Sequence, residues 1–470
     1  MFPVACLYDY NPKDAVMTHP QPQLPVRMDD PNRFLTSNEV KQSTRNMTIC
    51  ELGMSEQFFD LQRATSVVNH LMELYPFFSY GIKYDEQYKW MRYVEQPVQK
   101  IKLQISRTFT SLQEIGDFIE ISSQSLNSQK LIHWELVNLQ IPELPTAKSA
   151  LTVKIYHSLI DAVSIMQLFK LFNQFYSTGL SMQPVQITNY RPIMSCEHTE
   201  LKPLTENQLN QKIPLTQITG QFGGWLGSQQ QLFQDSKIRC RHYSQEDTAR
   251  VGGVKYSFSL YAMHFAQIAA YAYFNKDLEL EQKYISAGVD MRREKHLDKM
   301  DFEQVLGQSA TYSGMLASAT PQTTVLEIAE QLQKQSEKAD LTSEKFWQQQ
   351  HVSEMGPVRF DKGPANVSLL CSNLGKMNLG EGPVTQMVGF SSNTHVWDKP
   401  SLGIVNTVSN GKLGVFFVEQ DVNMFTEEQQ EQSAEIYRLI NRRIIESGAD
   451  RVLVSDIIQL YQQNFAAIKK

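Results

Sequence analysis

The sequence predicts a mixed α/β (α+β) fold in two lobes, each lobe a mixed sheet flanked by helices. Three observations predict it. The chain has 470 residues, more than one hydrophobic core usually holds. Short extended runs and helical runs intermingle in both halves. A stretch rich in Pro, Gln, Asn and Thr, residues 181–250, stands between them. The expected organisation is an N-terminal lobe over 1–180, a crossover over 181–250 and a C-terminal lobe over 251–470.

Taken in order, residues 1–50 read as irregular, with many Pro, Asp and Asn. A helix is expected from Ser55 to Tyr75, with Leu61, Ala64, Val68, Leu71 and Tyr75 on one face at spacings of three and four. Pro76 ends it. Extended segments follow: "YGIKY", "KWMRYVE", "KIKLQIS", "KLIHWELVNL" and "SALTVKIYH", several alternating apolar and polar residues. A helix, "SLQEIGDFIEISSQSL", falls between two of them. Leu151 to Tyr156 alternates like a strand, and Val163 to Tyr176 is apolar on nearly every side, as a buried helix is. The crossover is long for a loop, with room for a short helix near Gln229.

The second lobe opens with the apolar helix "SLYAMHFAQIAAYAYFN" and the strand "KYISAGVDM". Thr324-x-x-Glu327 is a capping-box pattern before the helix "VLEIAEQLQKQ". "ANVSLLCSNLG" reads as a buried strand into a turn. "LGIVNTVSNGKLGVFFVEQ" predicts a hairpin, with Asn410-Gly411 suited to a type I′ turn. Thr426-x-x-Gln429 caps a helix running to about Ser447.

Hydrophobic residues are 41% and charged residues 20% of the chain, a globular balance. The net charge of −6 carries no basic stripe, which argues against nucleic acid as the main partner. The five cysteines are scattered without a CxxC pair, favouring a reducing compartment over a zinc ribbon. The N-terminal "MFPVACLYDYNPKDAV" does not read as a signal peptide, and no run reaches 18 apolar residues. A cytoplasmic protein is expected. The amphipathic C-terminal "RVLVSDIIQLYQQNFAAIKK" reads as a helix packed on its own lobe; contact with a membrane surface, such as endoplasmic reticulum or lipid droplets, is the alternative.

One stretch invites a chemical reading. "IYHSLIDAVS" sets His157 at the end of a strand and Asp161 at the start of a helix. A histidine so placed can act as general base toward an alcohol or amine. Asp161 can cap free backbone N–H groups or pair with a distant arginine. The competing reading is a buried histidine bonded to a carbonyl, followed by an ordinary cap. His133, His264, His296, His351 and His395 make no metal-ligand spacing. No metal is expected. Phosphate loops and Gly-x-Ser-x-Gly elbows are absent.

"YHSLIDAVS" resembles the His-x-x-x-Asp-Gly motif of the coenzyme A-dependent acyltransferase superfamily, to which chloramphenicol acetyltransferase and peptide-synthetase condensation domains belong. "AGVDMRREK" resembles its Asp-x-Arg strand, and "LGQSATYSG" lies where the family often has a Gly-Asn segment. "SLLCSNLGKMNL" resembles the Ser-Asn-x-Gly turn of the alcohol acetyltransferase branch, whose first helix and strand are also suited by "ELGMSEQFF" and "LMELYPFFSYGIKY". That branch includes ester-forming O-acetyltransferases and a fungal N-acetyltransferase that inactivates the drug myriocin.

The resemblance implies a chloramphenicol acetyltransferase-like fold with an active-site tunnel between the lobes. His157 would be the general base, with no covalent intermediate. Asp161 would be structural, paired with Arg292, or with Arg293 as fallback. Ser372 and Asn373 would contact the oxyanion or coenzyme A; Gln308 and Thr311 are weaker candidates. It implies acetyl-CoA as co-substrate, no permanently bound cofactor, and a small or lipid-like alcohol or amine as acceptor, acting as a monomer. On resemblance alone an amine on a long-chain scaffold is preferred. Two positions depart from the pattern: Tyr156 stands where many members have a second histidine, and Ala162 where Gly is usual, which alanine can replace only at negative φ. A non-catalytic binding protein on the same scaffold is the alternative from another class. A condensation-type enzyme taking a longer, carrier-bound acyl group is a third reading.

Overall fold

The computed structural model describes residues 48–85, 90–112, scattered positions from 114 to 130, 131–180 apart from 158, 239–245, 252–275 apart from 255, 283–290, 306, 310–338, 368–392 apart from 378, 402–409, 412–419 and 427–465. Two large sheets dominate. The N-terminal sheet is built from β1 (Thr48–Ser55), β4 (Ile105–Phe109), β5 (Ile132–Leu139), β6 (Ser149–Tyr156) and β11 (Gln386–Ser392), in the order β11-β1-β6-β5-β4. Only the β4–β5 pair is parallel. The C-terminal sheet has the order β7-β13-β12-β10-β8-β9. Its strands are β7 (Arg239–Gln245), β8 (Lys283–Asp290), β9 (Ala310–Ala317), β10 (Ser368–Met377), β12 (Leu402–Ser409) and β13 (Lys412–Glu419). Within it, β12, β10 and β8 are parallel neighbours. A separate hairpin joins β2 (Gly81–Asp85) to β3 (Trp90–Val94).

Two strands cross the expected lobes. β7, from the crossover stretch, pairs with β13, and β11, from late in the chain, pairs with β1.

Among the described residues, helices α1 (Leu61–Leu74), α2 (Ala162–Thr178), α3 (Tyr256–Asn275), α4 (Val325–Lys338), α5 (Glu427–Ser447) and α6 (Val454–Phe465) cover the sheets. On one face of the N-terminal sheet, Leu151, Val153 and Ile155 meet Ala64, Val68 and Leu71 of α1 and Leu168, Phe169, Phe172 and Phe175 of α2. Fully burying each phenylalanine is worth about 1.5–3 kcal/mol. The other face carries Cys50, Leu52, Met54, Val137 and Ala150, covered by Leu112, Ile115 and Phe118, which are helical. In the second lobe α3 is enclosed by α4, α5 and α6. Its His264 stacks on Tyr437, ring centroids 4.2 Å apart, and burial holds that imidazole well below its usual pKa.

Several expectations shift. Residues 48–50 are strand, not irregular, and α1 starts at Leu61 rather than Ser55 because Asp60 is its N-cap. Leu61 itself is 39% exposed, outside the buried face. Of "KIKLQIS", only Ile105 and Ser106 enter β4. β6 is buried along both faces, so its alternation in polarity is not one of exposure: Thr152 and Lys154 are as buried as their apolar neighbours. The Ser-Asn-x-Gly segment is not a turn ending a strand. β10 continues through it to Met377, with a register shift between Asn373 and Lys376.

The capping box forms as expected: Glu327 N–H donates to Thr324 Oγ1 at 3.1 Å, and Thr324 N–H to Glu327 Oε2 at 2.7 Å. β12 and β13 form the expected hairpin, with Ser409 paired to Lys412; the Asn410-Gly411 turn lies outside the described residues. α6 packs Ile457, Leu460 and Tyr461 into the core of its own lobe. No helix among the described residues is long and apolar enough to cross a membrane. The short helix near Gln229 and the Thr426 cap lie outside the described residues.

Candidate active site

β6 is the central strand of its five-stranded sheet, sealed between β1 and β5. It delivers the chain to the junction at 157–161. Tyr156 N–H donates to Leu131 O, and Leu159 N–H turns back to Tyr156 O at 3.0 Å. α2 then starts. Asp161 is its N-cap in extended geometry, φ −100° and ψ 169°, and its carboxylate accepts from Ser164 N–H at 2.8 Å. Such caps satisfy one of the free N–H groups of the first turn. Ala162 is the first helical residue, where φ is negative, so alanine meets the condition set by the absent glycine. At the far end, Gly179 takes φ +81° and returns its N–H to Phe175 O, stopping the helix.

His157 keeps 8% of its surface, whereas Ile155, Leu159, Ile160 and Asp161 keep 1% or less. It is the least enclosed of these junction residues, though still buried. Tyr156, at the position of the second histidine, is buried, and burial pushes its phenol up to about 12. A phenol held neutral in this way can donate a hydrogen bond but is a poor base.

The other candidates lie on the second sheet. β8 and β10 run parallel, and Cys371 is level with Ala287, so Ser372 and Asn373, midway along β10, lie near the level of the C-terminal end of β8, where Asp290 stands. Antiparallel β9 adds Thr311, paired with Val289. Asn406 of β12 is level with Asn373. The topology thus brings Asp290, Thr311, Ser372 and Asn373 to neighbouring levels of adjacent strands. Arg292, Arg293 and Gln308 lie outside the described residues. α2, which begins at the His157 turn, reaches β10.

Sequence reasoning missed two polar residues near this framework. Asn173, fully buried on α2, holds the segment from β10 to β11. Its Nδ2 donates to Leu379 O at 2.9 Å and Val384 O at 2.8 Å, and its Oδ1 accepts from Val384 N–H at 2.9 Å. A lone Asn in an aromatic helix was the available signal. Glu51, on β1, is 1% exposed; its Oε2 has no hydrogen-bond partner among the described residues, and burial holds its carboxyl well above the usual range. The single acid in "CELGM" was the signal there.

No family model matches the chain, and no curated protein matches it. Solved structures do. The first condensation domain of the calcium-dependent antibiotic synthetase, in complex with substrate analogue 2a, superposes with a TM-score of 0.53 at 12% identity, covering 90% of this chain and 98% of that one. The epimerization domain from the third module of tyrocidine synthetase B gives 0.52 at 13% identity, over 89% and 98%. The fold is therefore the two-lobed, chloramphenicol acetyltransferase-like fold shared by condensation domains. At these identities the likeness speaks for the fold alone.

Proposed function

We propose that the protein is an acyltransferase in which His157 is the general base. The observation that carries this reading is the junction itself. A buried histidine at the end of a sealed strand is followed four residues on by a buried aspartate capping the next helix, on a fold shared with condensation domains. His157 would take the proton from an acceptor amine or hydroxyl as it attacks a thioester carbonyl. The tetrahedral oxyanion would then collapse and expel the thiol. General-base help of this kind is worth roughly 10²–10⁴-fold, so positioning of the two substrates supplies much of the rest. Asp161 acts by fixing the turn. Ser372 and Asn373, at the β10 bulge, are the candidate donors to the oxyanion.

For the donor we propose acetyl-CoA, and for the acceptor a small or lipid-like amine or alcohol. A second reading, a condensation-type transferase using a longer acyl group on a carrier thioester, is favoured by the condensation-domain likeness. Thiol release separates them. Native protein and His157→Ala are incubated with acetyl-CoA, or with acyl-pantetheine thioesters of increasing length, and a panel of amines and alcohols. Acceptor-dependent release from acetyl-CoA that vanishes in His157→Ala supports the first reading, and release from the pantetheine thioesters alone supports the second. Folded protein that releases thiol from neither is a binding protein on this scaffold. Release that survives the substitution removes His157 as base.

A further inference from the structure

We propose that Lys130 is a second nucleophile, an amine that accepts an acyl group from an acyl thioester through a relay of His133 and Glu135 unrelated to the His157 junction. The three side chains form a line. Lys130 Nζ lies 2.7 Å from His133 Nδ1, and His133 Nε2 lies 3.2 Å from Glu135 Oε1. Glu135 Oε2 is in turn held at 3.1 Å by Nζ of Lys154. The line runs from surface to core: Lys130 is exposed, the His133 and Glu135 side chains keep 22% and 18% of their surface, and Lys154 keeps 3%. Lys154 is fixed further by the Phe118 ring, 3.5 Å from its centroid.

β5 explains the alignment. His133 and Glu135 are two apart and share one face, the face of Val137 and Leu139. Trp134 and Leu136 face α1 and α2 instead. The relay therefore occupies the side of the sheet away from those helices. His133 is the cross-strand partner of Lys154, which brings the buried cation to Glu135.

The geometry selects one tautomer. A carboxylate only accepts, so His133 Nε2 carries its proton toward Glu135, and Nδ1 presents a lone pair to the amine. Carboxylate, imidazole and nucleophile thus stand in the order that activates nucleophiles elsewhere. A plain surface ion pair would set Lys130 against Glu135 directly; here an imidazole stands between them. Although Lys130 is exposed as a residue, partial enclosure of its ammonium lowers it, against the opposing pull of Glu135, and so raises the share of neutral amine. Glu135 is held down to about 2: burial would raise it, but its contacts with His133 and Lys154 outweigh that. The carboxylate stays ionised and orients the ring. Cys50 and Arg107 also face Lys154, from β1 and β4.

An acyl thioester suits this arrangement because the step needs a base. The Lys130 nitrogen lone pair attacks the thioester carbonyl and the C–N bond forms. The surplus N–H proton passes to His133 Nδ1. The oxyanion collapses, the C–S bond breaks and thiolate leaves. The imidazolium returns the proton to the thiolate. The products are an amide on Lys130 and free thiol.

Native protein, His133→Gln and His157→Ala are incubated with acetyl-CoA, and acetylation of each lysine is followed by peptide mass spectrometry, with circular dichroism confirming the fold. Lys100 and Lys102, both exposed, are internal references. Lys130 is expected to react about 10-fold or more faster than these, and to fall to their rate in His133→Gln. It should keep its rate in His157→Ala, which makes the result independent of the proposed function. Equal rates for the three lysines in native protein, or an unchanged Lys130 rate in His133→Gln, overturn the relay. Labelling lost in His157→Ala also overturns it, because the His157 site would then be the source of the acylation.

Discussion

Asn173 and Val384 exchange two hydrogen bonds, side-chain amide to backbone, as two facing strand residues would. The partners are 211 residues apart in the chain. Through this pair α2, which starts at the His157 turn, grips the segment that leaves β10 and becomes β11. Gly382 sits under the same side chain: a Cβ there would come within 2.5 Å of Asn173. The contact joins the two sheets by a polar clamp inside an aromatic core.

Replacing Asn173 by Asp keeps the shape and removes the donor. The carbonyls of Leu379 and Val384 would lose their partner, at about 1–3 kcal/mol for each buried group left unsatisfied. The denaturant midpoint of Asn173→Asp should fall accordingly, with faster hydrogen exchange along β11. An unchanged midpoint would mean that the clamp is dispensable.

Capping and charge can be separated at Asp161. Asn caps as well as Asp, so Asp161→Asn should keep its stability to within about 0.5 kcal/mol, while Asp161→Ala should lose about 1 kcal/mol. If both variants lose an equal and larger amount, a charge partner such as Arg292 is what Asp161 chiefly serves. Transfer activity should follow the turn, falling further in the alanine variant.

Glu51 predicts a pH dependence of unusual sign for a carboxylate. Its folded-state pKa is raised, so the folded chain holds a proton that the unfolded chain releases once pH exceeds about 4.3. Stability from this group is full below that pH and declines as pH rises towards the folded value. Glu51→Gln should remove that decline. Denaturant midpoints at pH 5 and pH 8 should differ less in the variant than in native protein, and an identical difference would show that Glu51 is ionised in the fold.

The Glu135–Lys154 pair is expected to be costly to break but inexpensive to replace. Its partners respond oppositely: contacts win at Glu135, whereas burial wins at Lys154, whose ammonium is lowered. The difference follows exposure, because Lys154 is nearly sealed and carries most of the desolvation. Lys154→Ala should cost about 3–5 kcal/mol, whereas Lys154→Met with Glu135→Leu should come close to native stability. Urea midpoints of the single and double variants test this. The acid limb is also specified. Glu135 contributes fully above about pH 4.3, and its contribution is lost as pH falls towards 2.

The His157 junction was legible because its signals are local. A short apolar strand, a capping residue and an aromatic run at helical spacing lie within thirty residues, and β6 and α2 formed where they were expected. The capping box at Thr324 and the Asn410-Gly411 hairpin were legible for the same reason. β1 was not. "TICELGMS" is buried on both faces, so it lacks the alternation that marks a half-buried strand, and both its neighbours, β6 and β11, come from far along the chain. The expected start of α1 at Ser55 is early, because Asp60 is the residue whose side chain meets a backbone N–H three positions on. Neither Asn173 nor Lys154 could be assigned from composition, because what each residue satisfies comes from a distant strand or loop.

β11 has a consequence for the order of events at the ribosome. β1 acquires its second neighbour only when residues 386–392 have emerged, long after β5 and β6 have been made. Until then the nascent N-terminal half exposes a strand edge with Ile49, Leu52 and Met54 along it, the kind of edge that pairs with another chain. Translation must carry this unfinished lobe until β11 is made. Slow elongation across the second half should therefore cost this protein more soluble yield than a chain whose first domain closes by itself.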